Sequence, residues 1–246
     1  MSDRRDAADR PPPNRSEPAL ASPVLALAEP AREAIARIVD LLAADRAAPS
    51  SVRDPADAWR VHVADSLAGL GFEQLATATA IADVGAGAGF PGLVLAAALP
   101  GARVDLVESV SRKCEFMRHA IDVAGISNAR VVCDRSEDWA NGEGREAYDA
   151  VTARAVGRLS TLAELASPLL CDGGVLVAWK GRRDPGEEAE LERAAPQLAI
   201  EPLEVRYVGP YAGSRHRHLH LMRKRGPTPE RLPRRPGIAK KRPFGA

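Results

Sequence analysis

Apolar residues recur along this chain with two different periods. From Pro30 to about Ala44, the positions Ile35, Ile38, Val39 and Leu42 fall at helical spacing, and Pro30 suits the first turn of that helix. After a break at Ala48-Pro49-Ser50-Ser51, a second helix is predicted from Asp54 to Leu70, with Asp54 as its cap and Pro55 at its first position. The two are expected to form an N-terminal helical cap. Beyond them, short apolar runs alternate with helical patterns. Strands are predicted over 80–84, 103–107, 129–133, 149–152 and 175–180, and helices over 91–99, 111–124, 158–170 and 185–195, with a short helical turn after Ser136. The last two runs, Leu203 to Val208 and Arg217 to Met222, read as an antiparallel pair. This alternation predicts an α/β fold: a mostly parallel sheet with helices on both faces and a reversed hairpin at its end.

The two ends of the chain differ from this pattern. Residues 1–23 are rich in Pro, Arg, Asp and Ala and nearly devoid of bulky apolar residues, so disorder is expected there. After Arg225, prolines at 227, 229, 233, 236 and 243 predict an extended arm without regular structure. The resulting division is an extension over 1–23, a helical cap over 24–76, the α/β domain over 77–225 and an arm over 226–246. Charge sharpens the picture of the arm. The formal net charge of +1 hides a balance of +10 in residues 213–246 and −9 in the rest. A basic arm of this kind predicts contact with a polyanion, nucleic acid first of all. No apolar run reaches the roughly 18 uncharged residues of a membrane span, and the N-terminus has no signal-peptide core. Three cysteines without CxxC spacing point to a reducing, cytoplasmic setting. The chain is taken as a monomer.

The chemistry is concentrated in residues 81–108, IADVGAGAGFPGLVLAAALPGARVDLVE. The first strand ends in a glycine loop, Gly85-Ala86-Gly87-Ala88-Gly89, and the second ends in Glu108. Glycines serve where the backbone turns sharply out of a strand and a ligand approaches closely. An acid at the tip of the next strand is placed to accept hydrogen bonds from a ribose. The site therefore predicts an adenosine cofactor. The dinucleotide spacing G-x-G-x-x-G fails, because position 90 is Phe. The G-x-G-x-G form instead suits a phosphate-free ligand, and the Gly173-Gly174 turn and terminal hairpin fit a class I methyltransferase, which uses S-adenosylmethionine. A nicotinamide dehydrogenase is the weaker alternative.

These elements together resemble the RsmG (GidB) family of bacterial 16S rRNA guanine-N7 methyltransferases. The likeness runs from about residue 60 to the end. It rests on His62-Val63-Ala64-Asp65-Ser66-Leu67, DVGAGAGFPG at 83–92, Glu108-Ser109 with Arg112-Lys113, and Arg135-Ser136-Glu137-Asp138. Ala153-Arg154-Ala155, Trp179-Lys180-Gly181, Arg217-His218-Leu219 and RRPGIAKKRPF at 234–244 complete it. The resemblance implies a Rossmann-like methyltransferase fold and cofactor contacts from Gly85, Phe90, Ser136, Glu137 and Arg154, with Gly87 and Gly89 completing the loop. It implies that Glu108 is the ribose acid, a position more often Asp. The implied acceptor is N7 of the guanosine numbered 527 in 16S rRNA, within the small ribosomal subunit or its precursor. Ala48-Pro49-Ser50-Ser51 stands where the family carries an Asn-Leu-Thr/Ser element. A methyltransferase acting on a small molecule or protein, and a non-catalytic RNA-binding module, stay open beside this reading.

Methyl transfer chiefly needs the acceptor held about 3–3.5 Å from the methyl carbon. Guanine N7 presents a free lone pair and needs no general base, and the chain lacks both the N/D-P-P-Y/F element of amine methyltransferases and a placed cysteine nucleophile. Arg154 after the fourth strand and Lys180 after the fifth are the expected catalytic residues, on the edge where parallel sheets hold ligands. His216, His218 and His220 alternate and are expected to share one strand face, without forming a metal site. His62 and Asp65, one helical turn apart, are expected either to pair or to pack. Cys114, Cys133 and Cys171 are expected to be inert.

Overall fold

The computed structural model describes residues 24–154 and 156–246. Residues 1–23, with the disorder expected there, and Ala155 lie outside the described residues. The strands are β1 (Ala80–Val84), β2 (Arg103–Val107), β3 (Ala129–Val132), β4 (Tyr148–Arg154), β5 (Leu170–Lys180), β6 (Ile200–Tyr207) and β7 (His218–Lys224). The helices are α1 (Glu29–Ala44), α2 (Pro55–Ala58), α3 (Asp65–Leu67), α4 (Glu73–Ala76), α5 (Gly92–Ala98), α6 (Ser111–Ala124), α7 (Ser136–Trp139), α8 (Leu159–Ala166), α9 (Pro185–Leu198) and α10 (Ile238–Lys241).

One sheet of seven strands runs in the order β3-β2-β1-β4-β5-β7-β6. Its first five strands are parallel, and β7 pairs antiparallel with both β5 and β6. Two apolar layers flank it. On one side Ile35 and Ile38 of α1, Leu93 and Leu95 of α5 and Met117 of α6 pack on Ile81 and Leu106. On the other, Leu162 of α8 and Leu191 and Leu198 of α9 pack on Val84, Val151 and Leu176. Each such Ile or Leu, fully buried, contributes about 2 kcal/mol. Chain order reverses between β1 and β4, the place where open α/β sheets bind ligands beyond their carboxyl ends. The Gly173-Gly174 turn expected before the fifth strand lies inside β5, where register jumps from Tyr148↔Leu170 to Ala150↔Val175 and residues 171–174 bulge out.

The helix expected over Asp54–Leu70 is not continuous. Asp54 caps it as expected, accepting from the Asp57 N–H, but Trp59–Ala64 is a π-helical segment and Ala68–Gly71 is 3₁₀. Outside donors explain the break. The Val61 carbonyl accepts from Arg154 at 3.4 Å, and that of Asp65 from Trp179 Nε1 at 2.8 Å. The Ser66 hydroxyl bonds back to the His62 carbonyl at 2.6 Å. Side chains inserted into a helical ladder widen it, and π segments of this kind concentrate at functional sites.

The C-terminal segment departs most from expectation. It is not an extended arm without regular structure. It folds back over α7, α8 and α9, and α10 fits into the gap between Pro236 and Pro243. Gly237, with φ +80°, starts that turn. Burial of a polar partner outweighs the proline signal: Arg234 forms a forked ion pair with Glu164, which is 3% exposed. Where the segment leaves β7, the fully buried Lys224 donates to the carbonyls of Ser167 (2.6 Å) and Leu170 (2.9 Å) and to Thr228 Oγ1 (2.6 Å). Glu146 Oε1 lies 3.3 Å from the same ammonium. Lys224→Met strands these acceptors without a donor. Urea denaturation is expected to show a loss of about 3 kcal/mol of unfolding free energy, and a loss below about 0.5 kcal/mol, the range of a surface substitution, would show the cluster to be dispensable.

Candidate active site

The site grows from one buried acid on β1. Asp83 is fully buried. Its Oδ2 accepts from the Gly92 N–H at 2.9 Å, and its Oδ1 from Thr152 Oγ1 of β4 at 2.9 Å. Burial pushes its carboxyl up to about 6, against the pull of these two bonds. A Cβ at Gly92 would lie 2.8 Å from Asp83 Oδ2, so only glycine lets α5 come this close. The clamp fixes both ends of the glycine loop.

In that loop Gly85, Gly87 and Gly89 have φ of +68°, +63° and +94°, a region that disfavours other L-residues. At Gly85 a Cβ would in addition fall 2.7 Å from Val156 Cγ2 of the connection after β4. Glu108, 6% exposed, braces the loop from β2. Its Oε2 accepts from the Gly87 N–H at 3.2 Å and faces Lys113 Nζ at 3.4 Å, while its Oε1 accepts from the Val110 N–H at 3.0 Å. Each carboxylate oxygen has further acceptor capacity, so Glu108 can hold the loop and a hydroxyl pair together. Gly85, Gly87, Gly89, Phe90 and Glu108 thus lie in one place, at the carboxyl ends of β1 and β2.

Ser136 and Glu137 follow the end of β3, next to β2. Both are buried, and Ser136 Oγ donates to Glu137 Oε2 at 3.2 Å. Arg154 ends β4 on the other side of the loop. It donates to Asp65 Oδ2 and to His62 Nδ1, both at 3.2 Å, and its Cζ lies 5.7 Å from the Phe90 ring centroid. The His62 ring stacks on Phe90, with centroids 4.6 Å apart. Phe90 therefore joins the glycine loop to the helical cap. Lys180 ends β5 and donates to the Gly157 carbonyl (2.8 Å) and Glu187 Oε1 (2.7 Å), which ties the connection after β4 to α9. Its partners hold the segment that packs on Gly85.

His62 and Asp65 do not pair with each other; both grip Arg154 instead. A guanidinium only donates, so His62 Nδ1 carries the lone pair and Nε2 the proton. That proton points to Ser50 Oγ at 2.9 Å. Ser50, from the segment that departs from the family's Asn-Leu-Thr/Ser element, thus supplies a hydroxyl to the site. Burial, with Arg154 beside it, pulls His62 down to about 4. Asp65 is 4% exposed. Burial raises its carboxyl against the opposing pull of Arg154 and Arg217. Arg217 Nε faces Asp65 Oδ1 at 3.6 Å, too long for a hydrogen bond, and neither atom has another partner among the described residues. Two elements went unread in the sequence: Asp83, signalled only as an acid inside an apolar strand, and the grip of Asp65 on two arginines more than 80 residues away.

Of the three alternating histidines, only His218 and His220 lie on β7; His216 precedes it with φ +52°. His220 is buried, and burial lowers it to about 4. Among the described residues no group of three His, Cys, Asp or Glu is gathered closely enough for a metal. Cys114 is buried beneath the Glu108 carbonyl, Cys133 is exposed and Cys171 half-buried. An apolar groove of about 1850 Å³ runs elsewhere, between α1, Trp59 and the β6–β7 connection at Pro210 and Tyr211.

Both neutral imidazoles carry a pH signature. Their folded pKa values lie below the ordinary 6.5. Their contribution to stability is therefore present above about 6.5 and lost as the pH falls through about 4. Histidine ring resonances followed by NMR are expected to show His62 and His220 titrating well below the ordinary histidine value of 6.5. Midpoints near 6.5 for both would contradict this geometry.

Residues 40–219 match the family model GidB, described as rRNA small subunit methyltransferase G. The chain is 42% identical to the ribosomal RNA small subunit methyltransferase G of Rubrobacter xylanophilus, covering 81% of this chain and 78% of that one. It is 41% identical to that of Chloroflexus aggregans, with 81% and 84% covered, and 36% identical to that of Staphylococcus carnosus, with 79% and 82% covered. Among solved structures, the cofactor-bound Rv0187 protein from MTB shares the fold at TM-score 0.53 and 19% identity, covering 78% of this chain and 89% of that one. The [4+2]-cyclase SpnF does so at 0.51 and 16%, covering 65% and 80%. A cyclase on the same scaffold shows that the fold alone does not fix the chemistry. The clamped glycine loop, the braced acid on β2 and a sequence match spanning most of the chain point the same way: this protein belongs to the rRNA small subunit methyltransferase G family.

Proposed function

We propose that this protein transfers the methyl group of S-adenosylmethionine to N7 of the guanosine numbered 527 in 16S rRNA, in the cytoplasm, acting on the small ribosomal subunit or its precursor. The observation that carries the reading is the convergence of the Gly85–Gly89 loop, Glu108 and Arg154 at the switch point of the sheet, in a chain of this family. The residues present fit the cofactor. A Cβ at Gly85 would strike Val156, so glycine lets the loop pass beneath the connection after β4, and Glu108 keeps acceptor capacity beyond its two backbone bonds. When bound, S-adenosylmethionine supplies an electrophilic methyl on a sulfonium.

The protein's task is then to hold the acceptor in line with that methyl and to exclude water. Positioning of this kind is worth on the order of 7–11 kcal/mol. The imidazole that packs on the loop is not free to act as a base. His62, the imidazole beside the loop, is neutral, with one nitrogen occupied by Arg154 and the other by Ser50. This suits guanine N7, whose lone pair attacks without prior loss of a proton. Gly87, Gly89 and Phe90 line the cofactor, with Ser136 and Glu137 as the wall at the end of β3. Arg154, held by Asp65 and His62, is poised where cofactor and base meet, and Lys180 fixes the connection that closes over Gly85. Basic residues of the C-terminal segment neutralise RNA phosphates, so binding weakens steeply with salt.

In cells lacking this protein, cleavage of 16S rRNA with borohydride and aniline followed by primer extension is expected to lose the stop at 527. Wild-type protein restores it. Persistence of the stop without the protein would overturn the assignment. Glu108→Ala removes the brace of the loop and the ribose acceptor together. Calorimetry is expected to show S-adenosylhomocysteine binding weakened at least tenfold, the scale of one hydrogen bond to a charged group.

A further inference from the structure

The tail, expected as an extended arm, is joined to Glu137 beside the glycine loop's site. Glu137 is 7% exposed, and both its oxygens are engaged: Oε2 by Ser136, and Oε1 by the Gly237 N–H at 2.8 Å. Gly237 lies 100 residues further along the chain. It is held there by Arg234, whose Nε donates to Glu164 Oε1 at 2.6 Å and whose second nitrogen reaches both Glu164 Oε2 and the Arg242 carbonyl. The Ala239 carbonyl accepts from Thr161 of α8, the helix that bears Glu164. The Phe244 ring lies under the Arg234 guanidinium, 4.1 Å from centroid to Cζ. Residues 234–244 are thus a strap fastened to α8 by one buried ion pair and the Thr161–Ala239 bond, and touching the site at one backbone donor. Arg235, Lys240, Lys241 and Arg242 on the same strap are exposed.

We propose that Arg234 is a positioning residue for the cofactor site: by fastening the strap to Glu164 it places the Gly237 N–H on Glu137, and so fixes the Ser136–Glu137 wall against which the cofactor binds. This deepens the functional reading above and rests on it. A carboxylate buried beside a ligand must be oriented by donors, because its desolvated oxygens otherwise turn toward whatever donor is nearest. Here the donor comes from the strap. The exposed cations and the wall-fixing amide are therefore parts of one segment, and RNA meets the element that shapes the cofactor pocket.

The test is calorimetric titration of the full chain with S-adenosylhomocysteine, in the absence of RNA, for wild type, Arg234→Gln, Glu164→Gln, the double variant, Arg234→Lys and Lys240→Gln/Lys241→Gln. Thermal melting shows that each variant is folded at the titration temperature. Arg234→Gln and Glu164→Gln are each expected to weaken binding about tenfold. The double variant is expected to be no weaker than either alone, because both act through one contact, and Arg234→Lys recovers part of the loss. Lys240→Gln/Lys241→Gln keeps the wild-type affinity, since those charges do not fasten the strap. A loss of stability alone would lower the melting temperature without moving the dissociation constant of the folded protein. Wild-type affinity in folded Arg234→Gln overturns the proposal and leaves the functional reading intact. Failure of the wild type to bind overturns both.

Discussion

A carboxylate sealed inside an apolar sheet must find donors, and where Asp83 finds them determines the shape of the site. One donor is the first amide of α5 and the other a hydroxyl on β4. Together they stitch β1 to its neighbour across the switch point and pull the start of the following helix against the strand. The chain between has no choice but to double back over the sheet edge, and the left-handed glycines make that possible. The loop's form is thus imposed from beneath, by a buried acid whose own charge is disfavoured there. Burying it costs free energy that the two bonds only partly offset, and the loop takes its course from those bonds.

The same logic repeats at larger radius. Glu108 accepts from the loop and from the turn after its own strand. Asp65 accepts from Arg154 and faces Arg217, joining the cap helix to β4 and to the start of β7. Glu164 takes Arg234, and Glu137 takes the backbone of Gly237. Each acid is buried, and each binds a donor far away in sequence. Ion pairs such as Asp65–Arg154 and Glu164–Arg234 contribute little net stability relative to apolar packing. What they contribute here is alignment: cap, sheet and tail meet at fixed angles around one cradle.

Much of this was legible in the residues. The strand–helix alternation appears as read, with most boundaries within two or three residues, because a buried parallel sheet and its covering helices leave unmistakable periods. The loop glycines and Glu108 were also legible, since a positive φ and a strand-tip acid are local requirements. The helix over Asp54–Leu70 was misjudged, because its break is caused by Trp179 and Arg154, donors that no window of sequence contains. The tail was misjudged for the same reason. Five prolines leave room only for the short α10, and contacts with buried partners such as Glu164 decide where that backbone lies.

By itself the sequence determined everything that depends on neighbours along the chain: the α/β class, the place of the glycine loop, the basic character of the end, and a family likeness that the comparisons with known proteins established. Only the tertiary structure decided which acid meets which base. It made His62 and Asp65, expected either to pair or to pack, joint holders of Arg154, gave Ser50 a partner, and folded the tail onto Glu137. The physical reason is that periodicity encodes burial, whereas the pairing of buried charges depends on distances between segments, and those exist only once the sheet has assembled.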